Sequence, residues 1–350
     1  ATKPGSVSLE ALQALQQRGI TSPMLEARLQ YTSAQNILSQ HLNPLLGKTR
    51  IYPRLHAPQS SGRVGTAKPP IGNFTASKKY GPHGIRDVVK PDPGYLWACY
   101  DLDALEAHLI GHACEDPVDK EAFDNGYDIH TVTAIRMFRW PEPNFNPTKE
   151  NLWGTDTGRA WCERVAANIN ERASNGALVP YDGDCRTRRL VKNCRYALQY
   201  ALDEKPMSRY AVQMKMDNKT LWDFGRKYLA SKPWLTSWKQ KIWAECVKTG
   251  VARTAFGRRR MLLGDRLNVM KEGLNHIIQG TGADLMKMTI VDVCTKVIEC
   301  LGMVYQTHDG AKFLFKIKSN WETIKPYVQR KWNLWGRDLY IPGTFEVIYG

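Results

Sequence analysis

The run Tyr95-Leu-Trp-Ala-Cys-Tyr100 constrains the fold of this chain more than any other stretch. Six mostly apolar residues in succession predict a buried β-strand. The run stops on Asp101 and turns into the helix formers Leu-Asp-Ala-Leu-Glu106-Ala-His-Leu-Ile110, with apolar residues at 105, 109 and 110. A buried strand can hold a carboxylate at its end rigidly, which a metal site needs. Taken alone, an Asp between strand and helix is most often just an N-cap.

A second carboxylate shifts that balance. Gly302-Met-Val-Tyr-Gln-Thr-His308-Asp309-Gly310-Ala-Lys-Phe-Leu-Phe-Lys-Ile317 reads as two strands joined at Asp-Gly, a strong hairpin dipeptide. On that ground alone Asp309 is a turn residue, yet His308 and Asp309 would sit together at the hairpin tip. If this hairpin shares a sheet with the 95–100 run, Asp101 and Asp309 meet over one pair of hard cations. Magnesium takes carboxylate oxygens together with substrate phosphates, and two such ions clamp the attacking and leaving oxygens of a phosphoryl transfer.

Residues 188–202 carry a third pattern. With Arg188 at zero and about 100° per residue, Lys192, Tyr196 and Tyr200 fall at about 40°, 80° and 120°. Leu190, Val191, Cys194, Ala197, Leu198 and Ala201 fall on the opposite side, so an amphipathic helix is expected. A solvated basic face is the ordinary explanation of the first set. Tyr is seldom in register with Arg and Lys on such a face, and two cations followed by two rings suit a triphosphate and a stacked base.

The charge balance agrees with a polyanionic partner. Lys and Arg number 49 against 34 Asp and Glu, a net +15 at pH 7, although a basic balance by itself fits many proteins. Eleven Trp and fifteen Tyr serve base stacking or a rich core equally well. With 350 residues, 43% of them hydrophobic, a large core and two or three subdomains are expected. The eight Cys, at 99, 114, 162, 185, 194, 246, 294 and 300, show no Cys-x-x-Cys pair and no zinc spacing, so reduced thiols in a cytosol are the expectation. No signal peptide is expected, the sequence has no apolar run long enough to cross a membrane, and a soluble protein is the expectation.

Three segments together carry a resemblance to a known family. Asp101-Leu-Asp-Ala-Leu-Glu106 resembles motif A of the family A (DNA polymerase I-like) DNA polymerases, commonly written D-Y-S-Q-I-E. Arg188, Lys192, Tyr196 and Tyr200 resemble motif B, and Thr307-His308-Asp309 resembles motif C. Similar segments fall in family order around them: Ser61-Gly62-Arg63, Pro69-Pro-Ile-Gly-Asn73 and Gly84-Ile-Arg86, then Asp128-Ile-His130. The stretch Gly250-Val-Ala-Arg253-Thr254-Ala-Phe-Gly257-Arg258-Arg259-Arg260 and the segment Asn275 to Asp284 follow.

The resemblance implies an α+β right-hand polymerase fold, with an antiparallel-sheet palm and helical fingers. The implied divisions are a thumb base at 1–50, palm at 51–127 and 262–350, and fingers at 128–261 with an insertion at about 141–187. The bulk of a thumb, and any proofreading exonuclease, would precede residue 1. A fragment or an unusually compact enzyme is therefore expected, and a partner chain supplying thumb or exonuclease is one way to complete it. Among elements, helices are expected at Met24–Leu46, 111–140 and 265–301, with a helix and one last strand over 318–350.

The implied reaction is DNA-templated addition of dNTPs to a primer 3′-hydroxyl. Asp101 and Asp309, helped by the backbone carbonyl of Leu102, would hold two Mg2+ ions, with Mn2+ as a substitute. Arg188 and Lys192 would take the β- and γ-phosphates, and Lys192 would also protonate the leaving pyrophosphate. Tyr196 would take the sugar–base region, Tyr200 the templating end and His130 the triphosphate. Glu106 would exclude a ribose 2′-hydroxyl, and Tyr196 in place of the commoner Phe implies ready use of dideoxynucleotides. Arg63, Asn73, Arg86, Arg253, Arg258, Arg259, Asn275, Gln279 and His308 are the implied contacts to primer–template DNA. Of these, the amides of Asn275 and Gln279 lie one helical turn apart and would read minor-groove acceptors. The implied location is the cytoplasm of a bacterial or phage-infected cell, with no membrane partner.

The chain also departs from the family pattern. Gly310 stands where motif C carries Glu, which implies weakened or altered metal binding. Ala197 and Ala201 replace glycines, and Arg195 replaces the usual Asn, adding a cation beside the site. Two alternatives follow: a catalytically inactive DNA-binding replication factor, and a single-subunit RNA polymerase, against which Glu106 argues.

Overall fold

The computed structural model describes residues 22–56, 61–74, 88–124, 129–130, 132–133, 185–201, 203–211, 217–307 and 309–350, with single positions at 12, 15 and 20. In chain order the elements are α1 (Pro23–Ile37), β1 (Arg54–His56), β2 (Gly65–Ala67), β3 (Tyr95–Leu102), α2 (Leu105–Ala113), α3 (Pro117–Asp124) and α4 (Cys185–Tyr200). Then come α5 (Asn218–Ala230), α6 (Pro233–Thr249), β4 (Val251–Arg253), β5 (Arg259–Met261), α7 (Arg266–Lys296), β6 (Gly302–Gln306) and β7 (Gly310–Lys316). A one-turn α8 (Lys325–Val328) precedes β8 (Lys331–Leu334), β9 (Arg337–Tyr340) and β10 (Gly343–Tyr349). The chain forms two compact units. One comprises Ala1–Leu25, Ile110–Lys248 and Asp265–Leu274, the other Glu26–Leu109, Thr249–Gly264 and Asn275–Gly350.

The second unit is organised on a four-stranded antiparallel sheet in the order β10-β3-β7-β6. The apolar run is an inner strand, which is why Leu96 through Tyr100 are all buried. On one face Leu96, Ala98, Tyr100 and Leu102 line up with Phe313 and Phe315. The Tyr100 ring lies 5.1 Å from Phe345, and its hydroxyl donates to the Val328 carbonyl (2.8 Å). On the other face Trp97, Cys99 and Tyr305 pack with Ile71 and Phe74. That cover ends short of Asp101, which is exposed between the buried residues Tyr100 and Leu102. Helix α7 approaches α2 at Gly282, where a Cβ would stand 3.1 Å from Leu105.

Two expectations about elements need correction. The helix expected over 111–140 breaks after Ala113, because Pro117 disfavours helical backbone at Asp116. Asp116 then accepts from the amides of Val118 (3.0 Å) and Asp119 (3.2 Å) and caps α3. Near the end of the chain, the expected helix and last strand are joined by an unforeseen hairpin, β8–β9. Trp335 (φ 51°) and Gly336 (φ 78°) supply the two left-handed positions its tight turn needs. The expected insertion at 141–187 lies outside the described residues up to Cys185, where α4 begins.

In the first unit the buried face of α4 is pinned by charge. Arg195, expected to add a cation beside the site, is instead fully buried and engaged inside the protein. Its Nη2 donates to Asp119 (2.5 Å), and its Nη1 to the Ile129 carbonyl and Thr133 hydroxyl (both 3.3 Å). Lys232 Nζ donates to Asp119 (2.5 Å) and Asp116 (2.6 Å). Burial opposes the charge of Lys232, yet Asp119 and Asp116 outweigh it and hold the ammonium above its ordinary pKa.

A further buried cation closes the end of the same helix. Lys239 donates to the carbonyls of Leu198 (3.0 Å) and Ala201, last-turn acceptors of α4 that have no partner within the helix. Burial pulls its pKa from 10.5 down to about 8, against an opposing pull from Asp203. The unfolded chain therefore binds more protons between those two values, and stability should rise with pH across that window. Urea unfolding of the wild type and Lys239→Met, compared from pH 7.5 to 10, should show the wild type gaining on the order of 1–3 kcal/mol on the variant. A pH-independent difference would contradict this placement of the proton.

Candidate active site

The sheet brings the two sequence-marked acids onto paired strands. Asp101 lies opposite Gly310 in the β3–β7 register, and the Leu102 amide donates to the Asp309 carbonyl (2.8 Å). The Thr307 amide donates to the Gly310 carbonyl (2.9 Å) and closes the hairpin tip. His308 lies outside the described residues. Gly310 has a steric role invisible in the sequence. A Cβ there would stand 2.5 Å from Asp101 Oδ1, 2.6 Å from the Tyr100 carbonyl oxygen and 3.0 Å from Thr307 Oγ1. A glutamate at this position has no room unless the strands shift or the Asp101 carboxylate swings away.

A third carboxylate comes from the first turn of α2. Glu106 accepts from Arg63 Nη2 at 2.5 Å, and the same nitrogen lies 3.8 Å from Asp309 Oδ1. Both partners of the shorter contact are only 15% exposed, so it is screened less than a surface pair. Arg63, expected on the DNA, is thus engaged with two acids of the site. Among the described residues no group of three His, Cys, Asp or Glu forms a ready-made metal cage. Asp101 and Asp309 instead offer hard oxygens that leave most of a cation's shell to water and substrate phosphate. That donor set fits magnesium, which rarely uses an all-protein cage.

In the first unit, three residues singled out for nucleotide binding stand together. The Tyr196 ring lies 5.8 Å from His130, edge to face, and the Lys192 ammonium lies 5.8 Å over the same ring. Val191, Cys194 and Leu198 are fully buried, so the ring and cation lie on the other, less buried side, with Tyr200 half-buried in line. The Arg188 backbone is on α4, but its side chain lies outside the described residues.

The residues expected on DNA divide. Arg253 and Arg259 are exposed and directly paired across the β4–β5 hairpin. Arg258 is spent inside the protein, donating to Asp284 (2.6 Å) and to the carbonyls of Ser61 (3.0 Å) and Gly280 (3.2 Å). Its expected phosphate contact gives way to tying the hairpin to α7. Asn275 and Gln279 are half-exposed, one turn apart on α7. Asn73 ends the short turn Ile71–Asn73, its side chain outside the described residues, as is all of Arg86.

The model of DNA polymerase family A matches residues 1–151 and 175–347, most of the chain. The chain belongs to DNA polymerase family A. Among curated polymerases, the thermostable DNA polymerase I of Thermus filiformis is 27% identical over 321 residues, covering 87% of this chain and 33% of the relative. DNA polymerase I of Geobacillus stearothermophilus is 24% identical, over 81% of this chain and 28% of its own. This family A chain thus spans about a third of the length of the curated relatives it matches. The POL domain of Pol1 from M. smegmatis, solved in complex with DNA primer-template and dNTP, shares the fold at a TM-score of 0.70 and 22% identity. That match covers 99% of this chain and 57% of the POL chain. The α+β polymerase fold is thereby shown. Among the described residues no helix is long and apolar enough to cross a membrane.

Proposed function

We propose that this family A chain is a DNA-templated DNA polymerase, adding deoxynucleotides to a primer 3′-hydroxyl by phosphoryl transfer with two magnesium ions. One observation carries the reading: Asp101, the exposed residue at the end of a buried strand, pairs with the strand that begins beside Asp309. The family's relatives, and a related POL domain bound to primer-template and dNTP, support it. Magnesium, or manganese in its place, would neutralise charge on the phosphates and make the 3′-hydroxyl a better nucleophile.

The chain's own groups do the rest. Asp101 and Asp309 supply anionic oxygens, with the Leu102 carbonyl as a neutral one. Arg188 and Lys192 bind the triphosphate with His130, and Lys192 gives a proton to the departing pyrophosphate oxygen. Tyr196, packed against His130, seats the sugar and base and admits dideoxynucleotides, while Tyr200 meets the templating end. Glu106, anchored by Arg63, crowds a ribose 2′-hydroxyl. Arg253, Arg259, Asn275 and Gln279 hold the duplex, with Asn73, Arg86 and His308 as further contacts.

Primer extension by the purified chain with magnesium tests this reading. Extension with dNTPs and rejection of rNTPs by roughly a hundred-fold are expected, with Glu106→Ala eroding that rejection at least tenfold. DNA binding without extension would support an inactive replication factor instead. Equal use of both sugars would support an RNA polymerase.

A further inference from the structure

The sheet face that carries Asp101 also carries a cation that the proposed mechanism does not use. Lys312 lies on β7 directly across from Cys99, so it shares a face with Asp101, two residues further along β3. Two residues of strand span roughly 7 Å, within reach of a lysine side chain. A cavity of about 610 Å³ opens on this face, lined by Asp101, Thr307, Lys312, Thr344 and Glu346 among others. The Lys312 ammonium stands over two rings at once, 5.2 Å from Tyr305 and 5.4 Å from Trp97. Both rings are buried, so they form a platform under the cation and cannot stack on a base.

Among the described residues no carboxylate closes an ion pair with Lys312. Glu346 faces the same cavity from β10, the strand on the other side of β3, where it too lies across from Cys99. A lysine held over rings on the face that carries Asp101, with no ion pair among the described residues, is placed to receive an external anion.

We infer that Lys312 binds a backbone phosphate of the primer strand, a little upstream of its 3′ end, and so positions that end at Asp101. The inference rests on the polymerase reading. The primer is favoured over the incoming triphosphate because Arg188 and Lys192 already serve the triphosphate, whereas Lys312 is a cation on the sheet face that carries Asp101. The contact is to phosphate alone, and it should be blind to sequence.

The test is equilibrium binding of fluorescent primer–template across a KCl series, for the wild type and Lys312→Met, which keeps an apolar stem on the rings. Affinity should fall roughly three- to ten-fold, and the slope of log K against log salt should become shallower by about 0.9. Lys312→Arg should restore the slope, and Lys312→Gln serves as a second neutral variant should methionine disturb the sheet. The half-saturating dNTP concentration should stay within about twofold, since the triphosphate has other cations. An unchanged salt slope would overturn the inference, as would a loss confined to dNTP affinity. Because DNA binding is read without turnover, a wild type that binds DNA yet extends no primer would refute the polymerase reading separately.

Discussion

Asp101→Asn and Asp309→Asn should each lower single-turnover primer extension by on the order of a thousand-fold or more, while primer–template affinity changes by less than about threefold. Asparagine keeps the size and one oxygen of each side chain but removes the negative charge that holds a divalent cation. Loss of several kcal/mol of charge stabilisation translates into that drop in rate. Under the proposed mechanism both residues act on one pair of ions, so the double variant should be little worse than either single one. Extension within tenfold of the wild type by either variant would remove Asp101 or Asp309 from the chemistry.

The second large effect is on stability. Asp119→Asn should destabilise the fold by about 3–5 kcal/mol, because it leaves Arg195 and Lys232 short of a counter-charge in a site closed to water. Such a loss is a large share of the stability a typical protein has. The same substitution at an exposed acid such as Asp124, paired with Lys120 in solvent, should cost less than about 1 kcal/mol. Urea unfolding followed by circular dichroism measures both, and a cost below about 1 kcal/mol at Asp119 would show that the buried network is not needed. Activity should also suffer, since Arg195 orients the helix that presents Lys192 and Tyr196.

Much of this site was legible in the sequence because the relevant signals are local. Six apolar residues ending on an acid announce a buried strand with one exposed carboxylate, and β3 has that pattern. The four-residue steps of Arg188, Lys192, Tyr196 and Tyr200 locate a helix face, and α4 buries the opposite side. What escaped depends on partners distant in the chain. Arg195 falls at the edge of the polar arc and reads as a cation beside the site until Asp119 and Lys232 are known to lie beside it. Arg258 looks like a phosphate ligand among three arginines, yet Asp284 and two carbonyls claim it. Gly310 reads as a lost glutamate, whereas the clash a Cβ would make with Asp101 and Tyr100 shows a steric reason for glycine. Cross-strand neighbours cannot be counted along a sequence, so Lys312 gave no signal at all. The missed break at residues 114–116 was readable: Asp116-Pro117 is a cap-and-start signal that an uninterrupted helical reading overlooks.

Under the proposed mechanism two acids, Asp101 and Asp309, jointly hold the divalent ions. Manganese bound by the purified chain, counted by electron paramagnetic resonance with primer–template and an unreactive dNTP analogue, tests it most directly. Bound manganese should be present in the wild type and lost to a similar extent in Asp101→Asn, in Asp309→Asn and in the double variant. Full manganese binding in either single variant would contradict the claim.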